Sequence, residues 1–140
     1  MPSTWVYFAA PPVAWVIAGS IKFATNSIRA RKAAFDQIGY GGLPSTHMTI
    51  VSTMAALIAM REGAGSAAFG AALALVAIVG IDALSLRRHI GLQARSINEM
   101  LRERERPTPH RERIGHSIIE LGAGVVVGIA TAAALHRFVP

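Results

Sequence analysis

With 140 residues, 14 Lys and Arg against 8 Asp and Glu, and a net charge of +6, the chain has room for one domain and is basic. Hydrophobic residues make up 52% and charged residues 16%, with a mean hydropathy of +0.42, so the apolar content exceeds what a soluble core of this size needs and points to lipid. There is no cysteine, which excludes a disulfide framework and a thiolate metal site.

The first charged residue is Lys22, which leaves residues 1–21 uncharged. Positive charge follows this stretch instead of preceding it, and Pro11 and Pro12 interrupt it. It therefore reads as a spanning helix, kinked or locally broken at the prolines, and not as a signal peptide. Four apolar stretches, at residues 5–24, 45–60, 66–84 and 115–135, approach the roughly 17–25 helical residues that a crossing requires. The expected fold is all-α: an integral membrane bundle of four transmembrane helices forming one domain over residues 1–140.

The connection at residues 61–65 is so short that helices two and three must be antiparallel neighbours. Residues 25–44 and 87–114 read as longer connections and hold nearly all the Lys and Arg. Alternating crossings place both on one side, and the positive-inside bias makes that side cytoplasmic, in the cell (inner) membrane, with both termini outside. The alternating run Arg102-Glu103-Arg104-Glu105-Arg106 reads as a solvated loop or helix end. Nucleic acid is not an expected partner, because the basic residues are juxtamembrane and no aromatic residues are interleaved with them. Gly124 and Gly128 have the GxxxG spacing of a close helix contact, within the chain or at a homodimer seam.

Ionisable residues bordering apolar helices are candidates for function. Lys22 lies at the end of helix one, His47 at the start of helix two, Asp82, Arg87, Arg88 and His89 at the end of helix three, and His116 and Glu120 at the start of helix four. Alternation brings all of these ends to the basic face. The glycine-rich segment from Gly39 to His47, with Gly41, Gly42, Pro44, Ser45 and Thr46, leads into a helix N-terminus. Such a segment either binds an anion through its amides or is an ordinary turn and cap. His116 and Glu120 share a helix face four residues apart, as an oriented imidazole or as a polar pair pinning the helix end. No compact metal-ligand spacing occurs, and neither metal nor cofactor is expected.

Three stretches together resemble the type 2 phosphatidic acid phosphatase and vanadium haloperoxidase superfamily, most closely its small, divergent bacterial and plant-type branch. Lys22-x6-Arg29 is similar to its first motif, with Ala30 where proline is common. Pro44-Ser45-Thr46-His47 is similar to the second, with Thr46 where glycine is usual, and His116-x3-Glu120 to the third, with glutamate for aspartate. Asp82 followed by Arg87-Arg88-His89 resembles an acidic and Arg-Arg-His pattern of the divergent branch. The third motif's arginine, six residues before its histidine, is replaced by His110, with Arg111 and Arg113 nearby; Arg87 or Arg88 is an alternative source of that charge.

The resemblance implies a metal-independent phosphatase acting through a phosphohistidine. His116 is its nucleophile, Glu120 its orienting carboxylate and His47 its general acid and base. Lys22, Arg29, Arg87 and Arg88 are the phosphate-binding cations, assisted by Ser45 and Thr46, with Asp82 and His89 in support. The implied substrate is a lipid phosphate such as phosphatidylglycerophosphate, phosphatidic acid or a polyprenyl (pyro)phosphate. The alternatives are a non-catalytic membrane module that binds anionic lipid or a partner protein, and a phosphotransferase using the same site.

Overall fold

The computed structural model describes residues 4–31, 33, 42–112 and 114–139. Its helices are α1 (Val6–Ala30), α2 (Thr46–Glu62), α3 (Ala67–Ile81), α4 (Arg87–Glu103) and α5 (Ile118–Phe138). A π-helical turn, Asp82–Leu86, joins α3 to α4 without a break, and no strand occurs among the described residues. Three helices are long and apolar enough to cross a membrane: Val6–Ala30, the continuous Ala67–Glu103 and Ile118–Phe138. The fourth, α2, has 17 residues, about 25 Å of helix against a hydrocarbon core of roughly 30 Å.

Two expectations are corrected. Of the kink or local break expected at the prolines, the break does not occur, since α1 is helical through Pro11 and Pro12 and reaches Ala30 instead of residue 24. Both prolines lie in the second turn, where the bonds they forgo would end on carbonyls of the first. The expected connection at residues 87–114 is also more than half helix. No proline stands between Asp82 and Arg106, and the face formed by Gly91, Ala94 and Asn98 is buried. The 37-residue helix Ala67–Glu103 is about 55 Å long, so α4 extends well past the end of a crossing.

Serine caps set three of the starts. Ser45, Ser66 and Ser117 precede α2, α3 and α5 with extended backbone, and each accepts a backbone N–H from the first turn. Ser117 and Glu120 form a reciprocal capping box, which begins α5 at Ile118 and not at residue 115.

At the centre of the bundle, α2 packs against α5, α1 and α3. A Cβ on Gly124 would lie 2.8 Å from the Ser45 carbonyl oxygen, and one on Gly128 would lie 2.8 Å from that of Thr49. The Thr53 hydroxyl donates to the carbonyls of Thr49 (2.8 Å) and Gly128 (3.2 Å), tying the same seam. The GxxxG pair is therefore buried against α2 within the chain, the first of the two contacts its spacing allowed. Helix α3 buries no residue, which suits an apolar helix facing lipid.

The packing makes one end of the bundle a meeting point. Thr25 donates to the Leu43 carbonyl (2.9 Å), the Ser45 amide to the Glu120 carbonyl (3.0 Å), and the His116 amide to the Ala83 carbonyl (3.2 Å). These bonds join the end of α1, the start of α2, the π turn and the start of α5. At the opposite end Arg61 donates to the Val139 carbonyl, and Val6, Ala10, Leu57 and Ala132 form a small core.

Candidate active site

The ends of the four helical rods carry the ionisable side chains anticipated from the sequence. His47, in the first turn of α2, lies within electrostatic reach of Arg87, Lys22 and Asp82. His116, just before α5, lies within reach of Lys22, Glu120 and Arg87. The two imidazoles, 69 residues apart in sequence, thus share the same two cations.

The π turn explains why Arg87 belongs to this group. Five residues separate it from Asp82, a spacing that an α-helix would splay around its axis but a π turn brings into register. The Arg87 amide bonds to the Asp82 carbonyl, and its guanidinium Nε lies 2.6 Å from the Asp82 carboxylate. Arg87 is accordingly half-buried, whereas Arg88 and His89 are exposed. His89 Nδ1 lies 3.0 Å from the Ser85 carbonyl of its own helix. Arg29 is exposed in the last turn of α1, about 10 Å beyond Lys22 along the axis. Of the expected cations, Lys22 and Arg87 are the two that the structure gathers around the imidazoles.

Glu120 has two tasks. Its Oε2 accepts the Ser117 amide at 2.7 Å and lies 3.5 Å from His116 Nδ1. The first is a firm charge-assisted bond and the second is loose, leaving Nδ1 buried without a well-directed partner. The carboxylate still faces Nδ1, which points Nε2 away from it. Burial holds the His116 imidazole below its ordinary value of 6.5; the Lys22 charge pushes the same way, Glu120 opposes and Arg87 adds a smaller push down. The ring is therefore neutral near pH 7, the state in which a nitrogen lone pair is available.

Ser45 serves the fold. It is fully buried, its amide bonds to Glu120 and its hydroxyl caps Met48. As the first two residues of α2, Thr46 and His47 have amides with no carbonyl partner inside the helix. Of the glycine-rich approach, Gly39, Tyr40 and Gly41 lie outside the described residues, as does Arg113. Gly42, at φ +143°, takes a conformation that favours glycine, and a Cβ there would lie 2.9 Å from Asn26 Oδ1. Among the described residues, no group of three His, Asp or Glu is placed to hold a metal.

Asn98, Gly91 and Ser117 were not singled out as functional from the sequence. The Ser-x-x-Glu spacing of Ser117 and Glu120 is a readable capping signature. Nothing local to Asn98 or Gly91 marks them, because their partners lie 14 and 21 residues further on.

An all-helical bundle with three candidate spans, carrying histidines and cations at one end, defines a class of helical membrane protein with a basic, histidine-bearing cluster at one end of the bundle. Residues 5–131 match the divergent PAP2 family, and the chain belongs to it. It is similar to the uncharacterized membrane protein YuiD of Bacillus subtilis (strain 168), at 28% identity covering 88% of this chain and 89% of the relative. No solved structure matches.

Proposed function

We propose that this membrane protein is a lipid-phosphate phosphatase. The observation that supports this best is the sharing of Lys22 and Arg87 by His47 and His116 at one end of the bundle. Two imidazoles beside fixed positive charge suit phosphoryl transfer, in which positioning and charge stabilisation supply most of the catalysis.

His116 Nε2, aimed by the contact of Nδ1 with Glu120, attacks phosphorus. The N–P bond forms as the bond from phosphorus to the lipid oxygen breaks, and His47 gives its proton to the departing alkoxide. His47 then takes a proton from water, which attacks the phosphoryl group, breaks the N–P bond and releases phosphate. Lys22 and Arg87 hold the equatorial oxygens, with the Thr46 and His47 amides assisting; Asp82 keeps Arg87 in place. Arg29 and Arg88, exposed and further out, attract the anionic head group before it docks.

In this reading α2 is the fourth crossing, residues 1–140 form one domain, and the basic end faces the cytoplasm across the inner membrane. The substrate carries its phosphate at the membrane surface, as phosphatidylglycerophosphate, phosphatidic acid or a polyprenyl (pyro)phosphate does. One observation favours a second reading, a non-catalytic binder of anionic lipid: Glu120 is bonded more firmly to the helix cap than to His116.

Purified protein in lipid-detergent micelles is expected to release phosphate from at least one of these three substrates, and to keep doing so with a divalent-metal chelator present. Folded protein that binds the lipids and releases nothing from any of them would establish the binder instead. The pH response follows from His116. Protonation removes its lone pair, so kcat/KM should fall on the acid side with a midpoint below 6.5, the ordinary imidazole value. The same depression makes the folded state shed this proton more readily than the unfolded chain. The stability it contributes is present above 6.5 and is lost as pH drops through the folded value. An NMR titration of the His116 ring with a midpoint above 6.5 would contradict both.

A further inference from the structure

Beyond its first residue, α4 plays no part in the mechanism above, yet it carries an apolar stripe that stands open among the described residues. Leu86, Ile90, Ile97 and Met100 are between 39% and 58% exposed. With Gln93 they succeed one another at spacings of four, three, four and three, the alternation that keeps one seam of a helix turned towards a partner helix. The neighbouring face is already taken. From residue 104 the chain turns back as a strap, which Asn98 holds by donating to the His110 carbonyl (2.7 Å) and to Glu112 Oε1 (2.8 Å). A Cβ on Gly91 would lie 2.5 Å from the Glu112 carbonyl oxygen, so the strap lies directly on α4. Gly91, Ala94 and Asn98 are buried on that side, and the stripe remains uncovered beside them.

The stripe stands clear of the membrane. The backbone stays helical from Ala67 to Glu103, with no turn at which α4 could fold down onto the lipid surface. Its 17 residues therefore run about 25 Å outward from the Asp82–Arg87 pair, and an apolar stripe held in water marks an interaction surface. Residue types and charges say what fits it. Isoleucine at 90 and 97, alternating with Leu86 and Met100, is the β-branched and γ-branched or unbranched pattern that favours a pair of parallel strands. Arg88, Arg95 and Arg102, seven apart, fall on the line of the helix furthest from the seam, where the cations of two copies point away from each other. At the flanks, a parallel copy would bring His89 to Ala94 and Ser96 to Leu101, so no like charges meet. The membrane supplies the orientation: copies inserted in the same sense present their stripes parallel and in register about a two-fold axis along its normal.

We propose that two copies of this chain associate through α4 as a short parallel coiled coil outside the membrane, with Ile90 and Ile97 each packed against its counterpart and Leu86 and Met100 closing the two ends. Gln93, the polar residue within the seam, meets its own counterpart, which holds the two helices in register. The strap lies on the other side of each helix and is not displaced. The inference is independent of the phosphatase reading, since none of the seam residues touches the site.

The chain has no cysteine, so single cysteines in the full-length protein report the seam. In membranes under mild oxidation, Ile90→Cys and Ile97→Cys should each give a disulfide-linked dimer, because symmetric seam positions bring two Cα atoms within the roughly 4.4–6.8 Å that a disulfide spans. Arg95→Cys, on the outer line, and Leu92→Cys, 55% exposed but off the stripe, should cross-link about tenfold less or not at all. Light scattering of the wild type in detergent should give the mass of two chains, and the Ile90→Glu, Ile97→Glu double variant the mass of one. If that variant fails to fold, the cysteine series still decides, since each of its positions is exposed. Cross-linking at Leu92→Cys or Arg95→Cys as fast as at Ile97→Cys would overturn the proposal, as would a mass of three or more chains, or a wild type of single-chain mass with no cross-link at either isoleucine. Quenching of a fluorophore on Ile97→Cys by brominated lipid, without any cross-link, would also overturn it, by assigning the stripe to the membrane surface.

Discussion

Replacing His116 with alanine is expected to lower phosphate release by about 10⁴–10⁶-fold, the scale on which removal of a nucleophile acts. The affinity for inorganic phosphate should change little, since the cations that hold the anion belong to other elements: Lys22 to α1 and Arg87 to the start of α4. His47→Ala should be milder, about 10²–10⁴-fold, because proton donation to an alkoxide is partly replaceable by water. The order of the two effects is informative. A larger loss at His47 than at His116 would exchange their roles, and equal phosphate release by both variants and the wild type would remove both from the chemistry.

The second large effect is on the fold. Gly128→Ala places a methyl group 2.8 Å from the Ser52 Cβ and the Thr49 carbonyl oxygen and 3.0 Å from the Thr53 amide. Two of these three atoms are backbone, so α5 must move off α2, at a cost of about 1–3 kcal/mol for overpacking. Gly128→Val should go further and lose the bundle. Gly122→Ala is the control on the same helix, where the added methyl meets nothing within 4 Å and helix propensity favours alanine by roughly 0.5–1 kcal/mol. Thermal unfolding in detergent should therefore shift in opposite directions for the two alanine variants. A Gly128→Ala protein as stable as the wild type would mean that this seam is not formed in solution.

What could be read in the sequence was what repeats or stands out locally. The apolar runs marked the helices, and parity alone brought Lys22, His47, Arg87 and His116 to one end. The tight connection after Arg61 fixed α2 and α3 as antiparallel neighbours. Boundaries were missed where one signal masked another. The charges after Leu86 suggested the end of a helix, although no proline occurs before Pro107 and the helix runs on to Glu103, and the two prolines in α1 suggested a kink or break, although the helix continues through them. The π turn could not be foreseen from composition, and it is what selects Arg87 over Arg88. Asn98 and Gly91 were silent because their partners come from a returning strap whose path depends on the whole bundle. The choice for Gly124 and Gly128 between a contact within the chain and one between copies was likewise open until α2 was seen lying against them.

Rapid alkaline quenching of the protein during turnover of a labelled lipid phosphate, followed by mass spectrometry of its peptides at neutral to basic pH, tests the central assignment most directly. The expected result is a phosphoryl group on His116, stable in base and lost in acid, which His116→Ala abolishes and which accumulates when His47 is replaced. Turnover with the label on any other residue, or with no covalent label on the protein at any time during release, would contradict it.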